Sequence, residues 1–293
     1  MNLLSIFIGV ILAVERFILP TPQQGAKPTV SFAQLTPAMT YVDSIGEVLG
    51  TGTFSATIVA GLVPSATVRR TKKPQMTIAI LGDSMVDTLG KDLRLVADEL
   101  RLTYPETTFT LINYGVGGEN ITSGLSRLTR DSYYLGEHRP PLLSLHPDVI
   151  VIESFAYNPF PFELGALDQH WLSLAYMVDA IRTNAPDTKI ALAAAIAPNS
   201  MVFGDGAPGI SFSPADKRER TAVIRRYLEN TIRFAQSEHL PISDAYTQSL
   251  DRMGEGNLTY INPGDHIHYS DAGRQLFARV LVDMITTNKL LEQ

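Results

Sequence analysis

Cysteine is absent from all 293 residues. Disulfides, thiolate catalysis and cysteine-bound zinc are therefore excluded, while the redox compartment stays open, because a chain without cysteine suits either. Tryptophan occurs once, at Trp171. Basic residues are the minority, 24 against 30 acidic, for a net charge of −6 and a pI near 5.5. The basic footprint of a nucleic-acid binder is missing, so no nucleic-acid partner is expected. The one basic cluster, Arg69, Arg70, Lys72 and Lys73, reads as a solvated linker face. No internal repeat and no long low-complexity tract interrupts the chain. What remains is 45% hydrophobic and 18% charged, a composition that folds into one large core or two modest ones.

The apolar run Leu3–Val14 is short for a membrane span. With Phe17-Ile18-Leu19 beyond Glu15 and Arg16, however, the stretch approaches the roughly 20 residues that a span needs. A cleaved signal peptide is the alternative, weakened by the lack of a lysine or arginine before the run and of an A-x-A site after it. Residues 1–19 are thus expected to be an anchor to the membrane. Flanking charge alone leans toward a cytoplasmic domain, but large domains override that rule. The expectation is a membrane-anchored, extracytoplasmic domain, or a secreted one where the segment is removed. Residues 20–74 are rich in Pro, Gly, Ser and Thr and read as a stalk. One short strand pair is expected in it, around Thr53–Ala60 and Ala66–Arg70.

From residue 75 to 293, strand-like and helix-like segments alternate. Strands are expected at 77–81, 108–114, 149–154, 189–196 and 241–245, and helices at 86–102, 121–129, 167–183, 214–239 and 270–288. Ser213-Pro214 is a helix start, with a cap followed by proline at the first helical position. The strands are near-continuous apolar runs, as when helices cover both faces of a parallel sheet. The pattern predicts one α/β domain, a doubly wound, mostly parallel five-stranded sheet with helices on both faces.

In such a sheet, functional groups collect beyond the carboxyl ends of the strands. The loop after the first strand carries Gly82-Asp83-Ser84, where the apolar period changes from two to 3.6. A serine there is a nucleophile if a base reaches it, or a plain helix cap if none does. The second loop, Asn113–Asn120, is rich in glycine and suits an anion. It fails the dinucleotide fingerprint, because Asn120 stands where glycine or alanine is required. The third, F-A-Y-N-P-F, offers the Asn158 amide, or else an ordinary Asn-Pro turn. The last, N-P-G-D-H-I-H-Y-S-D-A-G, supplies Asp265, His266 and His268. Acyl transfer needs a nucleophile, a base, a group orienting the base and donors for an oxyanion, and these loops hold a candidate for each.

The blocks G-D-S-M (Ser84), N-x-G-x-G-G (ending at Gly118), a loop asparagine (Asn158) and D-x-x-H (Asp265, His268) resemble the SGNH, or GDSL-type, hydrolase superfamily. The likeness spans roughly Met76–Ile285. It implies a flavodoxin-like three-layer sandwich and a serine esterase that uses no cofactor and no metal. Carried over, Ser84 is the nucleophile, His268 the general base and Asp265 the group that orients it. Its oxyanion hole comprises the Ser84 and Gly118 backbone N–H groups and the Asn158 side chain. Asp83 is expected to be structural. The third block departs from the family's G-x-N-D, having F-A-Y-N-P instead. Tyr157 and Phe160 are candidates to line a substrate pocket, and Trp171 reads as core. The resemblance points to a small acyl ester, with acetylated glycan or cell-envelope polymer as the substrate class. Three rivals stand beside it: an acyltransferase, a non-catalytic binding protein on the same fold, and a metal hydrolase using His266 and His268.

Overall fold

The structure, a computed structural model, describes residues 69–292 together with the strands Ala38–Val42 (β1) and Val48–Thr53 (β2). The chain divides into two units, Met1–Ser65 and Ala66–Gln293. In the first, β1 and β2 pair antiparallel, upstream of where the sequence suggested a strand pair. Of the expected later strand, only Arg69 and Arg70 are described, and they are coil. The apolar segment 1–19 lies outside the described residues. Among those described, no helix is long and apolar enough to cross a membrane.

The second unit is built on a five-stranded sheet of β3 (Gln75–Gly82), β4 (Thr108–Gly115), β7 (Val149–Glu153), β8 (Lys189–Ala194) and β9 (Ile242–Asp244). The order is β4-β3-β7-β8-β9 and every pair is parallel. The five expected strands are all present, and this is the flavodoxin-like doubly wound arrangement. Alternate side chains of the central strands enter separate cores. Ile78, Ile80, Val149 and Val151 face one way, and Ala79, Leu81, Ile150 and Ile152 the other. Complete burial of each valine, leucine or isoleucine side chain is worth roughly 1.5–3 kcal/mol.

The first core is closed by α2 (Arg94–Thr103) and α6 (Asp271–Thr287), the second by α3 (Ile121–Thr129) and α4 (Ala166–Asn184). α5 (Pro214–Ser237) contributes to both and packs on α4 and β8. Its start is a capping box, in which Ser213 Oγ accepts from Asp216 N and Asp216 Oδ2 accepts from Ser213 N. Trp171 meets Phe234 edge to face at 5.1 Å, in the second core.

The expected helix 86–102 is two pieces, α1 (Ser84–Asp87) and α2. Gly90 (φ 89°) and Leu93 (φ 46°) take left-handed conformations that no helix interior accommodates. Asn113 Nδ2 donates to Val86 O and Gly90 O, both at 2.9 Å, adding a second donor to carbonyls that accept Leu89 N and Leu93 N in the break. The sequence also gave no warning of a hairpin between α3 and β7. It consists of β5 (Ser132–Tyr134) and β6 (Glu137–Arg139), joined by Leu135-Gly136.

Candidate active site

Reversal of strand order falls at β3, whose neighbours are β4 on one side and β7 on the other. Ligands of open α/β sheets bind beyond the carboxyl ends at such a switch point. The first loop there is Gly82-Asp83-Ser84. Asp83 is completely buried and caps α1, its Oδ1 accepting from Met85 N at 2.8 Å. The capping role therefore belongs to Asp83, and the half-buried Ser84 hydroxyl is free for another partner. Gly82 has no room for a side chain, since a Cβ would lie 2.3 Å from Val86 Cγ2 and 2.9 Å from Glu153 Cβ.

That partner comes from the last loop. His268 Nε2 lies 3.0 Å from Ser84 Oγ, and His268 Nδ1 lies 2.8 Å from Asp265 Oδ2. With Nδ1–H donating to the carboxylate, Nε2 is left to accept the serine hydroxyl. Asp265 is itself held by the backbone: its Oδ1 accepts from Ile267 N at 2.8 Å and His268 N at 3.0 Å. Burial pushes the Asp265 pKa up, but the bonds from His268 and Ile267 outweigh it, and the carboxyl sits below the usual range. The loop is stapled at its base by Asn262 N to His268 O (2.8 Å) and Ser270 N to Tyr260 O (2.9 Å). His266 is turned elsewhere, with Nδ1 2.7 Å from Asp205 O. Among the described residues, no three metal-ligating side chains gather.

The second loop runs beside the serine. A Cβ on Gly117 would lie 3.9 Å from Ser84 Cβ. Gly118 is exposed, with φ 76° and nothing within 4 Å of where a Cβ would be, so its backbone is bare and its conformation favours glycine. The third loop closes the group: Asn158 Nδ2 donates to Asp83 Oδ2 at 3.0 Å. The asparagine is thereby fixed beside the nucleophile loop despite the altered block around it. Ser84, as the first residue of α1, and Gly118, Asn158, Asp265 and His268, on loops, all stand at one end of the sheet.

Two further predicted residues stand apart from the triad. The Tyr157 hydroxyl donates to Ile196 O at 2.9 Å, and the ring packs near Phe203. Phe160 stacks on Phe162 at 5.2 Å. Both phenylalanines line a cavity of about 610 Å³ between the loop after Asn158 and the start of α5, with Arg220, Arg226 and Tyr227 opposite. Ser84, Asp265 and His268 do not line it.

Several groups at the site were not singled out from the sequence. Glu153, at the end of β7, is completely buried. It accepts from Phe155 N at 2.9 Å and from the Ser154 hydroxyl. Burial, reinforced by the Asp83 charge, raises its pKa well above the carboxylate range, while burial raises Asp83 against the bonds from Met85 N and Asn158. Of the two carboxyls, Glu153 is the one raised further. Its bond to Phe155 N also helps hold that residue at φ 51°, an unfavourable conformation for an aromatic. Arg127 of α3, almost fully buried, donates from Nη2 to Gly82 O at 3.0 Å and from Nη1 to Tyr114 O. It ties together the strand ends that precede Ser84 and the glycine loop, and burial lowers its pKa to about 10. An acid closing the apolar run DVIVIE was the available sign for Glu153. An arginine among the apolar positions of a helix was the sign for Arg127.

Residues 80–276, about two thirds of the chain, match the GDSL-like Lipase/Acylhydrolase family. The chain belongs to that family. Solved structures share the fold described above. One is the lipase/acylhydrolase from Enterococcus faecalis, 17% identical, with 73% of this chain and 96% of that one covered and a TM-score of 0.51. Another is the acetyl xylan esterase AlAXEase, also 17% identical, covering 72% and 100% at a TM-score of 0.51. A gut microbial diltiazem-metabolizing enzyme aligns at 14% identity over 75% of this chain and 48% of its own, with a TM-score of 0.53. No curated relative matches significantly. Membership of the family makes the chain a hydrolase acting on ester bonds.

Proposed function

We propose that the chain is a serine esterase that cleaves small acyl esters through an acyl-enzyme, with O-acetyl groups on a carbohydrate or cell-envelope polymer as its substrate class. The observation that carries the reading is the relay Ser84–His268–Asp265, with contacts of 3.0 and 2.8 Å. In this reading His268 Nε2 takes the proton as Ser84 Oγ attacks the ester carbonyl carbon. The tetrahedral oxyanion is held by the N–H groups of Ser84 and Gly118 and by Asn158 Nδ2. Collapse breaks the C–O bond, and His268 returns its proton to the departing alcohol. Water then attacks the acyl-serine ester, again losing a proton to His268, which passes it to Ser84 Oγ as the acid leaves. Asp265 keeps the imidazole in the tautomer that this cycle requires.

The glycan assignment is supported by family membership and by the likeness to an acetyl xylan esterase. Phe160 and Phe162, just after Asn158 in sequence, are assigned to an outlying part of the substrate surface, since their cavity is not lined by Ser84, Asp265 or His268. Tyr157 does not line that cavity, its ring lying near Phe203 instead. The apolar run at 3–14 is taken as the tether that presents an extracytoplasmic domain to such a polymer, which membrane fractionation of the full chain would check. The substrate class is tested on purified protein lacking residues 1–25, with p-nitrophenyl esters of increasing chain length and acetylated xylo-oligosaccharides. Acetate release from the oligosaccharides with a preference for short acyl chains is expected. A preference for long acyl chains with no acetate released would overturn the substrate class and leave the esterase reading in place.

A further inference from the structure

Tyr134, at the end of β5, is used by neither the reaction scheme nor the family blocks. Its phenolic hydroxyl donates to Asp87 Oδ2 at 2.7 Å and accepts from Gly117 N at 3.2 Å. Asp87 is the last residue of α1, three positions after Ser84, and Gly117 immediately precedes Gly118. The two segments are already in close contact, since a Cβ on Gly115 would fall 2.2 Å from Asp87 N. The phenol is held in turn from β6: Arg139 Nη1 donates to Gly115 O at 2.7 Å, and its guanidinium lies 4.8 Å from the Tyr134 ring centroid. Burial and the bond to Asp87 raise the Tyr134 pKa, so the hydroxyl keeps the proton it donates.

We propose that Tyr134 is a positioning residue for the oxyanion hole, its one hydroxyl fixing the separation between the segment that carries Ser84 N–H and the loop that carries Gly118 N–H. The inference rests on the esterase reading above. Backbone pairing of the two segments ends with the ladder pair Gly82–Gly115 and the bond from Val116 N to Gly82 O at 3.2 Å, and the Tyr134 hydroxyl bridges them beyond that point. Their spacing matters because oxyanion donors act only at about 2.7–3.1 Å from where the negative oxygen forms. The hairpin, which hides behind an unpromising sequence, therefore has a task at the reaction centre.

A misplaced hole weakens the transition state more than the bound ester, so the loss should fall on kcat. Tyr134→Phe keeps the ring and the Arg139 contact and removes only the hydroxyl. We expect kcat for p-nitrophenyl acetate to drop about tenfold to a hundredfold, with KM changed by less than about twofold. Asp87→Ala breaks the same bridge from the other side and should give the same kcat loss. Asp87→Asn retains an acceptor oxygen and should stay within about threefold of the parent. In the double variant the two losses should overlap rather than multiply, because both remove one bridge. Ser84→Ala, measured in parallel, separates the two claims. If it keeps activity, the esterase reading fails. If it is inactive while Tyr134→Phe and Asp87→Ala match the parent, lose through KM alone, or multiply, the positioning role is overturned and the esterase reading stands.

Discussion

Asn158 and Asp83, seventy-five positions apart, share a hydrogen bond of 3.0 Å from amide nitrogen to buried carboxylate. The bond sets the plane of the amide and leaves its second N–H to point elsewhere, which is what an oxyanion donor requires. It also relieves an otherwise costly buried charge, because Asp83 is completely shielded from water.

Removing the amide therefore has two consequences. Asn158→Ala should lower turnover by roughly 10²–10³ as the donor is lost. It should also lower stability by about 1–3 kcal/mol, as Asp83 is left one bond short. Ester turnover and urea denaturation of the same sample measure both. A stability loss with unchanged turnover would make Asn158 a structural residue only.

Asp265 is predicted to act through the imidazole tautomer. Asp265→Asn keeps the shape but prefers the other tautomer of His268, and should cost up to about 10⁴ in kcat. The depressed pKa of Asp265 has a definite sign: its contribution is fully present above the unfolded value and is lost as pH falls through the folded one. Orientation of His268 should therefore survive into weakly acidic solution, as NMR of the imidazole Nδ1 proton would report.

His170 gives a pH prediction remote from the chemistry. It is completely buried, with Nε2 2.8 Å from Ser154 O and Nδ1 3.1 Å from Asn230 Nδ2. Burial lowers its pKa to about 4, against an ordinary value of 6.5. Between these values the unfolded chain binds a proton that the folded chain does not. Stability should thus be complete above about pH 6.5 and fall as the pH drops toward 4, by about 3 kcal/mol from this group. In His170→Gln the urea midpoint should depend less on pH across that window. An unchanged slope would assign the acid sensitivity to other groups.

The sheet was legible because β7 and β8 are buried on both faces and so spell unbroken apolar runs. Ser84 was legible because it follows β3 directly, where the apolar period changes. Asp265 and His268 lie some twenty residues beyond β9, and their D-x-x-H spacing was what marked them. The hairpin was not, because its two-residue turn needs positive φ at both positions, which the sequence Leu135-Gly136 hardly signals. Leu135 adopts φ 50° there, as leucine rarely does. The helix break at Gly90 was masked by Val86, Leu89, Leu93, Val96 and Leu100, whose apolar spacing runs on through it. Glu153 and Tyr134 escaped notice because each acts through contacts made only in the fold, Glu153 to the backbone of its own loop and Tyr134 to segments far away in sequence.

The most direct test of the account is the reactivity of one hydroxyl. A fluorophosphonate probe, followed by peptide mass spectrometry, should add a single phosphonyl group at Ser84. Ser84→Ala should remain folded, take up no probe and lose turnover of a short p-nitrophenyl ester. Labelling at another residue, or ester turnover surviving in Ser84→Ala, would contradict it.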